Sequence, residues 1–101
     1  MLTLVRTSLF DEWLGSLADD RGKARILARL NSAAHGNFGD CAAVGEGVSE
    51  TRVHFGPGYR VYFFRSGPTV HVILGGGVKS SQKHDIERSK MLADEIRGLS
   101  G

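Results

Sequence analysis

Leu2 and Leu4 alternate with polar neighbours in "MLTLVR", which predicts a short first strand. Phe10, Trp13, Leu14 and Leu17 then fall at i, i+3, i+4 and i+7, one face of a helix. Ser8 is its expected N-cap, with Asp11 three residues on as a weak capping-box partner. A second helix is expected from Asp19 or Asp20 to about Ala34, with Ile26, Leu27, Leu30, Ala33 and Ala34 as its buried stripe. His35-Gly36 marks its end, glycine supplying the left-handed turn. Arg21, Arg25 and Arg29 recur every four residues on another face of that helix, with Lys23 nearby.

Residues 36 to 47, "GNFGDCAAVGEG", read as a glycine-rich connection. The period then switches to two. In "SETRVHF", Thr51, Val53 and Phe55 point one way and Glu50, Arg52 and His54 the other. "GPG" at 56 to 58 is a tight turn. In the return strand, Tyr59, Val61 and Phe63 alternate with Arg60, Tyr62 and Phe64. "TVHVILG" is apolar on both faces and is expected at the centre of the sheet. Ser80 or Ser81 then caps a last helix carrying Ile86, Leu92, Ala93 and Ile96, ending near Gly98. The expected class is α+β: a small twisted, mainly antiparallel sheet with a helical pair on one face, in the order β-α-α-β-β-β-α. One domain is expected to span residues 1 to 101.

Composition narrows this picture only a little. Hydrophobic residues make up 41%, the globular range, and the net charge of +2 is too small to argue for nucleic acid by itself. No apolar run is long enough for a membrane span and no signal-peptide core opens the chain, so no membrane partner is expected. Cys41 is the single cysteine, which fits a reducing cytoplasm.

Position of the charges says more than their sum. Arg52, His54 and Arg60 alternate onto one face of adjacent strands and are expected to converge beside Tyr62, with Lys79 emerging at the end of the third strand. Such a face suits a polyanion with stackable bases, and phosphodiester cleavage in particular. Arginine offers a planar fork to phosphate oxygens, and histidine can move a proton near neutral pH. The same charges also describe a solvated sheet surface, and the arginine stripe a solvated helix face. Arg60, flanked by Tyr59 and Val61, is expected off the core, so that its removal should spare the fold. His71 is expected partly buried with a hydrogen-bond partner; His35 belongs to a helix end, and His84 to the first turn of the last helix. Cys41 has no positioned base in sequence and is not expected to be catalytic. "ILGGGVKSSQ" is not a phosphate-binding P-loop, because Val78 separates Gly77 from Lys79. No Cys/His/carboxylate cluster at metal-ligand spacing is present, so neither metal nor other cofactor is expected.

"GEGVSETRVHFGPGYRVYF" followed by "GGGVKSSQKHDI" resembles the RelE/ParE toxin superfamily, and more narrowly its HigB-like addiction-module killer proteins. The resemblance covers essentially the whole chain. It implies a small microbial-ribonuclease-like fold and a toxin of a type II toxin–antitoxin system. The implied activity is a metal-free endoribonuclease acting on mRNA, commonly on the ribosome, inhibiting translation until a helix-turn-helix antitoxin binds. Residue by residue, it implies Arg60 as the catalytic strand arginine, Lys79 at the scissile phosphate, and Arg52 and His54 at basic strand positions. The last segment lacks the tyrosine that such enzymes can stack on a base. His54 and His84 therefore both stand as general base, and Arg52, Tyr62 and His84 stand as RNA-binding residues. Lys79, with the glycines and the helix N-terminus, is expected to meet an RNA phosphate. The alternatives are a ParE-type toxin binding DNA gyrase and a toxin-derived interaction module without activity.

Overall fold

The computed structural model describes residues 1–100. The chain runs β1 (Thr3–Arg6), α1 (Ser8–Ser16), α2 (Asp20–Ala34), β2 (Cys41–Gly45), β3 (Val48–Val53), β4 (Tyr59–Arg65), β5 (Val70–Val78), a 3-10 turn (Lys79–Ser81) and α3 (Gln82–Ser100). The five strands form one sheet in the order β1-β5-β4-β3-β2; β1 runs parallel to β5 and every other pair is antiparallel. The α+β class and the expected order of elements hold, with one strand added. That strand, β2, lies inside the glycine-rich connection. It returns into β3 through Gly45, Glu46 and Gly47, all at positive φ, a turn that two glycines make accessible.

Both faces of the sheet are covered. Val53, Tyr59, Val61, Phe63 and Ile73 pack against Phe10 and Leu14 of α1 and Ile26 and Leu30 of α2. Val48, Tyr62, Phe64, Val72 and Leu74 pack on the opposite face with Ala93 of α3. The helical pair thus holds one face, as expected, and α3 takes the other. This explains why β4 and β5 read as nearly continuous apolar runs: strands buried on both sides have no solvent face to alternate with.

Local chemistry sets the helix starts. Thr7, one residue before the expected cap, caps α1 by accepting from the Phe10 amide at 3.2 Å. Its hydroxyl also donates to the Ile73 carbonyl at 2.8 Å, tying the helix to β5. Asp11 is drawn instead to Arg6, 2.7 Å away. Asp19 caps α2, accepting from the Gly22 amide at 3.0 Å and the Tyr59 hydroxyl at 2.7 Å. The α2 stripe is Gly22, Ile26, Leu30 and Ala33; Leu27, expected within it, is 41% exposed. Among the described residues no helix is long and apolar enough to cross a membrane.

Candidate functional site

The register of the central strands sets opposite pairs: Glu50 faces Tyr62, and Arg52 faces Arg60. Gly75 and Gly77 of β5 complete these two rows beneath α3. Glu50 is fully buried. Arg52 Nε lies 2.8 Å from its carboxylate, Arg60 Nε 3.6 Å, and the Gln82 amide donates to both oxygens at 3.0 and 3.2 Å. A buried carboxylate persists only with partners of this kind. Arg60, at 9% exposure, is therefore not on an open surface as its alternation implied. Its Nη1 donates to the Gly58 carbonyl at 3.3 Å, while its Nε is buried without a hydrogen-bond partner. Tyr62 is also fully buried, its hydroxyl without a partner. Burial, and then the carboxylates of Glu50 and Asp85, push its phenol far above the ordinary tyrosine range. Covered by α3, the Tyr62 ring offers no face for a base to stack on.

Two of the three glycines of β5, Gly76 and Gly77, answer to close packing. A Cβ at Gly77 would collide with the Asp85 carboxylate, and one at Gly75 would touch Ser89, both on α3. A Cβ at Gly76, on the other side, would enter the Trp13 ring of α1. The glycines thus let two helices seat polar and aromatic groups directly on the strand. Ser81 fixes the corner that follows: its hydroxyl accepts from the Val78 amide at 3.3 Å and donates to Asp85. Lys79 is exposed at the first position of the 3-10 turn. Its Cβ and the Arg60 Nη1 stand 3.3 and 3.6 Å from where a Gly58 Cβ would be, so the two side chains flank the same turn.

His54 lies elsewhere. Its ring lines a hollow of about 330 Å³ beside Arg25, Ala28, Arg29, Ser32 and Val53, on the α2 side of the sheet. Its Nε2 is 2.7 Å from Asp40 Oδ2. A carboxylate only accepts, so Nε2 donates, and in the neutral ring Nδ1 carries the lone pair. The imidazole is 72% exposed. The hydrogen bond from His54, with the charges of Arg52 and Arg29, holds Asp40 below the usual carboxylate range. Asp40 also reaches Arg52, 3.4 Å from Nη1. A polar chain thus runs from Arg60 through Glu50, Arg52 and Asp40 to His54. His84 is separate again, in a shallow hollow with Ser80, Ser81, Lys83 and Glu87 on α3. Of the expected constellation, the fold brings Arg52, Arg60 and Tyr62 together around Glu50, sets Lys79 at its rim, links His54 only through Asp40, and leaves His84 apart.

Two residues that organise the site were not singled out in the sequence. Glu50 shares the alternation of Arg52 and His54, which was the available signal. Asp40 gave none, because its place follows from the pairing of β2: the Arg52 amide donates to the Asp40 carbonyl at 2.8 Å and lays the two side by side. Among the described residues no three His, Cys, Asp or Glu side chains are grouped to hold a metal ion.

No protein-family model matches the chain. It is 42% identical over 97 residues to an uncharacterized protein of Haemophilus influenzae, a match taking in 95% of this chain and 98% of the relative. The two belong to one family.

In this family member the chemistry available is proton transfer at His54 Nδ1 and anion binding by the exposed Lys79. Arg52, about one-third exposed, adds a guanidinium to the chain of charges. Arg60 is nearly buried, and its Nη1 is already engaged by the Gly58 carbonyl.

Proposed function

We propose that the protein is the toxin of a type II toxin–antitoxin pair: a metal-free endoribonuclease that cleaves mRNA at the ribosome, in the cytoplasm, until a helix-turn-helix antitoxin binds it. The observation that carries this reading is the Asp40–His54 pair, an exposed imidazole oriented by a carboxylate with its Nδ1 free to take a proton. The resemblance of the hairpin and glycine–lysine segment to RelE/ParE toxins supports it. His54 Nδ1 takes the proton of an RNA 2′-hydroxyl, the 2′-oxygen attacks the adjacent phosphorus, and the bond to the 5′-oxygen breaks. The products are a 2′,3′-cyclic phosphate and a 5′-hydroxyl, whose proton comes from water. Lys79, with the Arg60 Nη1 beside Gly58, binds a phosphate of the RNA on that side of the hairpin, and Arg52 keeps Asp40 in place.

A second reading, a binding module without catalysis, is favoured by one observation: Arg60 and Tyr62 are occupied beneath α3. Induced expression in a bacterial host, with mapping of mRNA 5′ ends, separates the two. Growth arrest with new 5′-hydroxyl message ends is expected, and loss of both with His54→Ala. Growth arrest with intact messages supports the binding module, and arrest with cleaved chromosomal DNA supports a gyrase poison.

A further inference from the structure

The hollow beside His54 holds more than the proposed proton transfer needs. Its volume of about 330 Å³ falls within the roughly 300–1,000 Å³ of small-molecule sites. Ala28 and Val53 give it an apolar lining; Arg25, Ser32 and His54 supply polar groups. Two features decide what would fit.

The first is a flat cation. The Arg25 guanidinium lies over the Phe55 ring, 4.9 Å from its centroid. Held on that ring, it presents a planar, delocalised surface of the kind on which nucleobases stack. The second is which polar groups are left free for a ligand. Arg29 is turned inward, its Nη1 donating to Thr51 Oγ1 at 2.7 Å and to the Arg52 carbonyl at 2.6 Å. Asp40 occupies His54 Nε2. The Arg25 plane, the Ser32 hydroxyl and the remaining edge of the His54 ring are left to face the hollow, a flat surface with polar groups at its edge that suits a planar heterocycle.

The geometry points to a nucleobase subsite: the hollow between α2 and the end of β3 holds the base that flanks the cleaved phosphate, stacked on the Arg25–Phe55 pair. The inference rests on reading the protein as an RNA-cleaving enzyme and adds where a base is recognised. It also supplies an aromatic support on a different element from the C-terminal segment that lacks one.

The test uses a 2′-O-methyl oligoribonucleotide, which binds but cannot cyclise, carrying one 2-aminopurine whose fluorescence falls when it stacks. The intact protein is expected to bind this strand and quench it, and to bind a matched strand with an abasic site at that position at least about 5-fold more weakly, the low end of what one stacked base contributes. Free 2-aminopurine riboside should bind far more weakly than the strand, marking the base of an RNA as the ligand. Tight binding of the riboside alone would overturn the RNA assignment. Arg25→Ala removes an exposed side chain and should cost the same factor in affinity together with the quench. Arg25→Lys keeps the charge but not the plane, and should not restore the quench. If the strand binds equally well with and without the base, or Arg25→Lys behaves as the wild type, the subsite is refuted while the endoribonuclease reading stands. If no strand binds and expression leaves messages intact, the endoribonuclease reading fails and takes the subsite with it.

Discussion

Arg60 shows how the same residue reads differently in sequence and in the fold. Its alternation with Tyr59 and Val61 places it off the first core, which is correct, but α3 makes a second core on that side. Replacing it with alanine leaves Glu50, fully buried, with one cation fewer. Arg52 and Gln82 remain on that carboxylate, so the expected loss is about 1–3 kcal/mol in chemical denaturation. A surface site would change by only about 0.5 kcal/mol. Glu50→Gln added to Arg60→Ala should recover part of the loss, because it removes the charge left behind. No recovery would mean that Arg60 acts through packing alone. His71 gives a second test at this scale. It sits among Phe38 and Phe63 with Nδ1 buried and unpartnered, not hydrogen-bonded as its strand position implied. Burial, and then Arg65, lower its pKa from 6.5. The folded state therefore binds its proton less readily than the unfolded chain. Its contribution to stability is complete above pH 6.5 and is lost as pH falls through the lowered value. Denaturation midpoints should drop on acidification from pH 7 toward 5, and His71→Phe should flatten that slope.

Among the elements, α1, α2 and the β3–β4 hairpin were legible because their periods are clean and long. β2 was not: Cys41-Ala-Ala-Val-Gly has small side chains, three of its five positions are exposed, and its pairing comes from β3 rather than from any pattern of its own. The place of α3 was equally hidden. Its sequence gives a helix, but only the apolar second face of β4 and β5 says which side it must cover, and that inference needs the first face to be assigned already. The candidate site suffered for the same reason, since Glu50, Arg60 and Tyr62 are arranged by α3. The glycines of β5 are where packing between elements is most exacting. Gly76→Ala places a methyl group in the Trp13 ring. Overpacking of this kind costs about 1–3 kcal/mol, so the melting temperature should fall by roughly 4–8 °C per kcal/mol. Gly98→Ala, with open space around its Cβ, is the matched control and should leave melting unchanged or slightly raised. Equal melting of Gly76→Ala and wild type would show that α1 can shift freely on the strand.

For the whole molecule, the proposed toxin reading predicts a companion. Co-expression with a small helix-turn-helix protein encoded beside it should give a complex that co-purifies and relieves growth arrest. If arrest occurs and no neighbouring product binds or relieves it, the toxin–antitoxin assignment fails even though the nuclease assignment survives. β1 pairs with β5, Thr3 beside Val70 and Arg6 beside Ile73, and α3 closes the second core after that. At about 5–20 residues per second of synthesis, the first strand waits on the order of several seconds for its only neighbour in the sheet. Until then the emerging chain has an unmatched strand at its beginning, and until α3 follows, the second core is uncovered. A ribosome that stalls before Ile73 therefore releases a product without a native sheet, open to proteases. Whatever activity the molecule has begins only after the ribosome has translated past its last strand and helix.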